Sequence, residues 1–126
     1  MAEKSYVLQI TGRDSREVAL IKWEGLALND TGQPYVQPRL NDRSIHVKGT
    51  FGTGGTCVIE GSLEGSVTVP PTTYATLNDP QGNPLSIGLE KIESVLENVT
   101  AIRPRVSAGD GTTLLDVYLL MIGGAK

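Results

Sequence analysis

Alternation of apolar and polar side chains with a period of two recurs along the chain and predicts β-strands. In residues 44–51 every second side chain, starting at Ile45, is apolar and the intervening ones are polar. Residues 5–12 and 18–28 repeat this pattern. The last segment, 112–122, is apolar on both faces, so we expect it to be a central strand or to lie buried at an interface.

Glycine and proline separate these segments. The glycine-rich stretch 49–62 lies between two predicted strands, and its glycines could either hold a phosphate or turn the chain. A P-loop needs lysine where Gly55 stands, and the dinucleotide fingerprint needs glycine where Cys57 stands. A strand-like segment, rather than a helix, follows the glycines. The stretch therefore predicts a β-hairpin connection.

Three further segments complete the predicted architecture. Residues 29–43 contain two prolines and few apolar residues, which predicts a long loop or arm. The apolar spacing of residues 89–99 fits either a helix or a strand, and both remain open. Pro104 cannot donate to a strand ladder, so residues 100–107 are expected to form an edge strand or a bulge. Together the segments predict a single all-β domain over residues 1–126, an antiparallel, jelly-roll-like β-sandwich.

Composition and charge narrow the class of protein. The chain has 126 residues, which suits one domain, and a net charge of −3, which disfavours nucleic acid as a partner. No segment is long and apolar enough for a signal peptide or a membrane span, so we expect no membrane partner. Cys57 is the single cysteine, which excludes an internal disulfide and favours a reducing cytoplasm as the place of synthesis and assembly.

The candidate chemistry is sparse, and we expect neither enzymatic activity nor a cofactor nor a metal. One histidine, His46, and one cysteine, Cys57, cannot form the usual zinc sites. Cys57 is expected to be a small buried apolar residue, and His46 to be solvated. Asp30 and Asp110 fit turn positions. Four carboxylates could in principle pair as acid and base, although turns and outer faces are their commoner places: Glu60, Glu64, Asp110 and Asp116.

Surface interactions therefore become the main functional candidates. Arg103 and Arg105 share one strand face, where they either form a solvated edge or anchor carboxylates of a partner. Trp23 is either a core residue or part of an interface. The predicted interface residues are Tyr6, Trp23, Pro34, Tyr35, Pro38, Arg39, Arg103, Arg105 and Tyr118.

Four stretches resemble the small decoration, or cement, proteins on the heads of tailed bacteriophages. They read IKWEGLALNDTGQPY, DRSIHVKGTFGTGGTCVIEGS, YATLNDPQGNPLS and IRPRVSAGDGTTLLDVYLL, and together they cover roughly residues 20–120. The chain departs from the pattern at residues 63–65, where an Asn-Asp-Gly turn is usual, and at Tyr74, where tryptophan is usual. These departures bear on local loop contacts more than on the fold.

The resemblance implies a non-enzymatic virion protein that stabilises the capsid. It would bind the outer capsid surface, bridge subunits of the major capsid protein and form a homodimer or homotrimer assembled in the host cytoplasm. We expect the contacts to come from residues 31–43, the N-terminal residues 2–6 and the strand 102–106. Two alternatives remain, namely a phage tail or head–tail joining subunit and a carbohydrate-binding β-sandwich module.

Overall fold

The computed structural model describes residues 2–13, 17–36, 42–65 and 69–123. Within these ranges all regular secondary structure is β-strand. The strands form two sheets that enclose one apolar core. The predicted all-β, antiparallel β-sandwich is thereby confirmed. In chain order the strands are β1 (Glu3–Lys4), β2 (Tyr6–Arg13), β3 (Glu17–Leu26), β4 (Thr31–Gly32), β5 (Tyr35–Val36), β6 (Asp42–Thr50), β7 (Thr56–Ser62), β8 (Ala75–Thr76), β9 (Ser86–Ile87), β10 (Lys91–Val95), β11 (Ala101–Ala108) and β12 (Leu114–Gly123).

The five-stranded sheet is antiparallel throughout, with the order β10-β6-β12-β3-β2. Strand β12 lies in the middle, as its apolar residues on both faces predicted. Its inward side chains are fully buried against those of β3 and β6, because every second residue of a strand points to the same face. The buried apolar residues of these three strands are Ala19, Ile21, Trp23, Leu26, Ile45, Val47, Leu115, Val117, Leu119 and Met121.

The seven-stranded sheet has the order β1-β4-β11-β7-β8, with β5 beside β11 and β9 beside β7. Strand β11 is thus interior, so the edge-strand alternative is wrong. The segment does contain a register shift, which lies between Val106 and Ala108 rather than at Pro104. The N–H of Val106 donates to the carbonyl of Asp30 beside β4. Hydrogen-bond direction alternates along a strand, so the nitrogen of Pro104 faces the gap between β4 and β5, where no donor is needed.

The long loop predicted at residues 29–43 is corrected over its described part. Thr31 pairs with Arg105 and Tyr35 pairs with Ile102, so β4 and β5 belong to the sheet, and β6 already begins at Asp42. Such short strands are held by backbone pairing and have no apolar period for a sequence pattern to detect. Pro38 and Arg39 lie outside the described residues.

The glycine-rich connection is not a hairpin, which corrects the prediction made for it. Strand β6 belongs to the five-stranded sheet and β7 to the seven-stranded sheet, so residues 51–55 carry the chain across the sandwich. Gly52 and Gly54 do have the positive φ angles, 72° and 69°, that favour glycine. A turn within one sheet and a crossing between two sheets use the same residue types, and the local sequence cannot separate them.

Residues 89–99, for which both a helix and a strand were open, contain a strand, β10. Strand β10 pairs with β6 at the edge of the five-stranded sheet. The i, i+3, i+7 spacing does not describe a buried stripe, because Leu89, Ile92 and Leu96 are all exposed. Only Val95 and Val99 of this segment join the core.

Candidate interaction surfaces

Of the three segments expected to make contacts, residues 2–6, residues 31–36 of the predicted arm and strand β11 lie side by side at one edge of the seven-stranded sheet. Strand β1 pairs in parallel with β4, and β4 pairs with β11. The N–H of Thr31 donates to the carbonyl of Ala2 at 2.9 Å, and the N–H of Gln33 donates to that of Lys4 at 2.8 Å. We name this surface the N-terminal edge and define it as residues 2–6, 29–36 and 101–108.

Hydrogen bonds to the Asp30 side chain hold the N-terminal residues at this edge. One carboxylate oxygen accepts from the N–H of Ala2 at 3.0 Å, and the other accepts from the N–H of Ala27 at 2.9 Å. Asn29 has a φ of 71°, a conformation that asparagine tolerates better than most residues. The turn role predicted for Asp30 is confirmed, and the structure adds the contact with Ala2.

Three aromatic rings support the edge from beneath. Tyr6 meets Trp23 edge-to-face at 6.2 Å between ring centroids, and Tyr6 meets Tyr35 at 5.1 Å. The indole N–H of Trp23 donates to the carbonyl of Gln33 at 3.0 Å. Trp23 is 1% exposed and belongs to the core, as the first of its two interpretations predicted. A side chain at Gly32 would collide with this indole, so the strand approaches it closely only because the residue is glycine.

Both candidate arginines bind a carboxylate of their own chain. Arg103 Nε donates to Glu60 at 2.7 Å, and Arg105 Nε donates to its other oxygen at 3.1 Å. The Glu60 side chain is 6% exposed, whereas those of Arg103 and Arg105 are 21% and 41% exposed. The Arg103 guanidinium also stacks on Tyr74, 3.7 Å from the ring centroid. Binding of a partner's carboxylate by these arginines stays a prediction, with Arg105 the more accessible of the two.

An open groove of about 680 Å³ lies beside this cluster and is lined by residues 61–64, 73–77 and 97–99. It contains Tyr74 and residues 63 and 64 of the turn, where the sequence departs from the decoration-protein pattern. Glu64 accepts from the N–H groups of Thr72 and Thr73 at 2.8 and 3.1 Å. Hydrogen bonds from Thr72 and Thr73 lower the pKa of Glu64 to about 2. The groove therefore has one carboxylate that holds the loop behind it.

A second carboxylate of the groove, Glu97, is likewise engaged with its own chain. It accepts from the backbone N–H of Asn78 at 2.8 Å and from the Asn78 side-chain amide at 2.6 Å. Burial by itself raises the pKa of Glu97, and the bonds from Asn78 outweigh burial and lower it. Both carboxylates are thus fixed as hydrogen-bond acceptors for neighbouring loops.

The remaining titratable candidates lie apart from the groove. Asp110 accepts from the N–H groups of Thr53 at 2.9 Å and Thr112 at 2.8 Å, which confirms its turn role. Bonds from Thr112 and Thr53 hold its pKa well below the usual value. His46 is partly exposed and contacts Glu90 at 3.0 Å. Cys57 is buried, as predicted, and burial raises the pKa of its thiol to about 12.

Among the described residues no group of three or more histidine, cysteine, aspartate or glutamate side chains could hold a metal ion. Those residues also contain no helix with the length and apolarity to cross a membrane.

The structure brings most of the predicted interface residues together. Six of the nine lie on or next to the N-terminal edge, Tyr118 lies on the outer side of the other sheet, and two lie outside the described residues. Sequence reasoning considered Glu60 only as an acid or base and missed its partners. These partners become visible only when β7 is paired with β11, because that pairing places Glu60 directly opposite Arg103. The six residues at the edge are Tyr6, Trp23, Pro34, Tyr35, Arg103 and Arg105.

The fold and these surfaces define a β-sandwich whose described carboxylates mainly hold its own loops and strands in place. The chain was compared with models of protein families and with curated proteins, and neither comparison returned a match.

Proposed function

We propose that this protein is a structural component of a tailed-phage virion that binds the outside of the capsid and bridges neighbouring major capsid protein subunits. The observation that carries the proposal is the N-terminal edge. Three segments far apart in sequence were expected to be contacts, and residues 2–6, 31–36 and 102–106 of these segments form one continuous surface. A bridging protein needs such a surface because it must contact more than one neighbour at once.

The outermost strand of this edge supplies a specific means of binding. In the sheet order of the described residues, β1 has a neighbour on one side only, which leaves backbone N–H and C=O groups on its other side. An extended segment of a capsid subunit can pair with such an edge by strand addition. Ala2, Glu3 and Ser5 are exposed beside it. Many copies, each making modest contacts, would then resist internal pressure through multivalent attachment.

A matched pair of substitutions tests the edge. Ser5→Arg places a long cation at the exposed residue directly after β1, and Ser86→Arg places the same side chain at the exposed first residue of β9, far across the sheet. Capsids lacking this protein, taken from the phage that encodes it, are mixed with each variant and sedimented. We expect Ser5→Arg to lower occupancy at least about tenfold and Ser86→Arg to bind as the unmodified protein does. Equal binding by both variants contradicts a role for this edge.

A direct view of the particle tests the function as a whole. A cryo-EM map of purified virions should show this β-sandwich on the outer shell, in contact with at least two capsid subunits. Density in the tail or at the head–tail joint would instead support the tail alternative. Absence from the particle would overturn both. Deletion of residues 31–43 is a poorer test, because it removes β4 and β5 from the sheet.

One observation favours carbohydrate binding as the second candidate. The open groove contains Tyr74 together with polar groups, a combination that sugar sites use. However, Arg103 already covers one face of the Tyr74 ring. A glycan array with the purified protein decides the point: specific, Tyr74-dependent binding supports the second candidate, and no binding removes it.

A further inference from the structure

The outer face of the five-stranded sheet has an apolar centre. In β12, Leu120 lies opposite Leu20 of β3, and Ile122 lies opposite Val18. All four have the orientation opposite to the core-facing residues of their strands, and all four remain partly exposed. We name them the aliphatic cluster.

This cluster departs from what an antiparallel sandwich requires. A sheet with one face on the core and one in water shows apolar residues inside and polar residues outside. The inner residues of β12, such as Leu119 and Met121, account for one apolar face. Packing in the core does not explain why Leu120 and Ile122, on the other face, are apolar. An aliphatic patch on the two adjacent strands at the middle of a sheet is typical of a surface that is covered in an assembly.

Charged residues of both signs border the cluster. Lys22 Nζ lies 2.8 Å from a carboxylate oxygen of Glu24 and 3.9 Å from one of Asp116. The ammonium groups of Lys22 and Lys48 lie 5.1 and 5.6 Å from the centroid of the Tyr118 ring. These two cations and two anions balance at one end of the cluster, whereas at the other end the exposed Asp42 lies opposite Ile122 and adds one anion. A border that carries both charge signs favours a second copy, which presents the same two signs, over a partner with charges of one sign.

The dimensions of this face suit a dimer. Its strands have five to ten residues each. With about 3.4 Å per residue and about 4.8 Å between strands, the face covers roughly 700 Å² before side-chain relief is added. Each partner in a stable interface contributes about 800 Å². An apolar centre with a polar border is also the usual composition of such interfaces.

We propose that two copies of this chain associate face to face through the outer face of the five-stranded sheet. The aliphatic cluster lies at the centre of the contact, and the Lys22, Glu24 and Asp116 group lies at its border. This inference goes beyond the capsid role and concerns the isolated protein. Its test requires no phage particle, so its failure is distinguishable from failure of the proposed function.

A pair of leucine substitutions provides the first test. Leu120→Asp places a charge in the aliphatic cluster, and Leu63→Asp places the same charge at a leucine that is 75% exposed beside the groove. Masses are measured by size exclusion with light scattering and by sedimentation over a range of concentrations. We expect a dimer for the unmodified protein and for Leu63→Asp. For Leu120→Asp we expect a dissociation constant raised at least about 100-fold, since a charge is buried in each half of the contact.

Cross-linking tests the same surface without introducing a charge. Leu120→Cys and Leu63→Cys are each treated with a short bismaleimide, and Cys57 gives little background because it is buried. We expect cross-linked dimers from Leu120→Cys and none from Leu63→Cys. This result supports the proposed contact even if Leu120→Asp fails to fold. A monomeric unmodified protein at about 100 µM, or an oligomer whose mass and cross-linking are the same for both positions, overturns the proposal.

Discussion

Substitution of Glu60 by glutamine should destabilise the protein well beyond what the loss of a surface carboxylate does. Glu60 is buried and accepts from Arg103 at 2.7 Å and Arg105 at 3.1 Å. Glutamine has nearly the same shape, so packing is kept while the negative charge is removed. Its amide NH₂ group would face one guanidinium, and donor would then meet donor.

The size of the effect follows from these contacts. A hydrogen bond to a charged group contributes about 1.5–3 kcal/mol, roughly twice the contribution of a neutral one. The Arg105 contact is discounted because that side chain is 41% exposed and solvent screens it. The Arg103 contact dominates, and the expected loss in the free energy of unfolding is about 2 kcal/mol. For a domain of this size that corresponds to a fall in melting temperature of about 8 °C.

Urea unfolding at pH 7, followed by circular dichroism, measures this free energy, and calorimetry gives the melting temperature. Glu93→Gln is the matched control, because Glu93 also lies in a strand and pairs with Lys91 at 3.2 Å, but at the surface. We expect Glu93→Gln to change the stability by about 0.5 kcal/mol or less. The same geometry predicts that Arg103→Ala destabilises more than Arg105→Ala, since Arg103 also loses its stacking on Tyr74.

A small effect of Glu60→Gln would refute this reasoning. If it changed the unfolding free energy no more than Glu93→Gln does, the buried cluster would contribute little net stability, as happens when desolvation offsets attraction. If Arg105→Ala cost more than Arg103→Ala, the ranking by distance and exposure would be wrong.

Two further predictions concern the glycine crossing and acid stability. Gly55→Ala should destabilise by about 3 kcal/mol, because its Cβ would overlap the carbonyl of Phe51. Gly54→Ala, which meets nothing within 4 Å but has a φ of 69°, should cost about 1 kcal/mol by urea unfolding, and equal costs would contradict this account. The lowered pKa of Glu64, about 2, means that its carboxylate stabilises the fold above the ordinary pKa near 4.5, an effect lost as the pH falls through 2. The difference in melting temperature between the unmodified protein and Glu64→Gln should therefore be largest above pH 5 and shrink towards pH 2, and a constant difference would exclude this linkage.

The aspartate turns could be predicted from the sequence because their hydrogen bonds join residues close together in the chain. Asp79 begins a turn in which its side chain accepts from the N–H of Gln81, and the N–H of Gly82 donates to its backbone carbonyl at 2.9 Å. Both contacts span three residues or fewer, so the residue types alone predict them. The same holds for Asp110, whose bond to Thr112 spans two residues.

The N-terminal edge could be predicted only in part, because its contacts join residues far apart in the chain. The sequence resemblance pointed to three contact segments, but nothing local showed that β1 would pair with β4 or that β4 would pair with β11. Strand β4 has two residues and β5 has two, too few for an apolar period. Such pairings are decided by backbone hydrogen bonds between distant segments, which leave no repeated pattern in side-chain type.

The sequence by itself determined that long alternating segments such as residues 44–50 are extended and that Ile45 and Val47 point inward, because a period of two is a local property of the backbone. It also determined where aspartate and glycine turn the chain. Only the tertiary structure decided which sheet each strand joins, as residues 51–55 and Pro104 show. It alone placed Glu60 between two arginines and left Leu120 facing outwards. The physical reason is that sheet membership depends on contacts between residues far apart in the chain, whose free energies no local pattern contains.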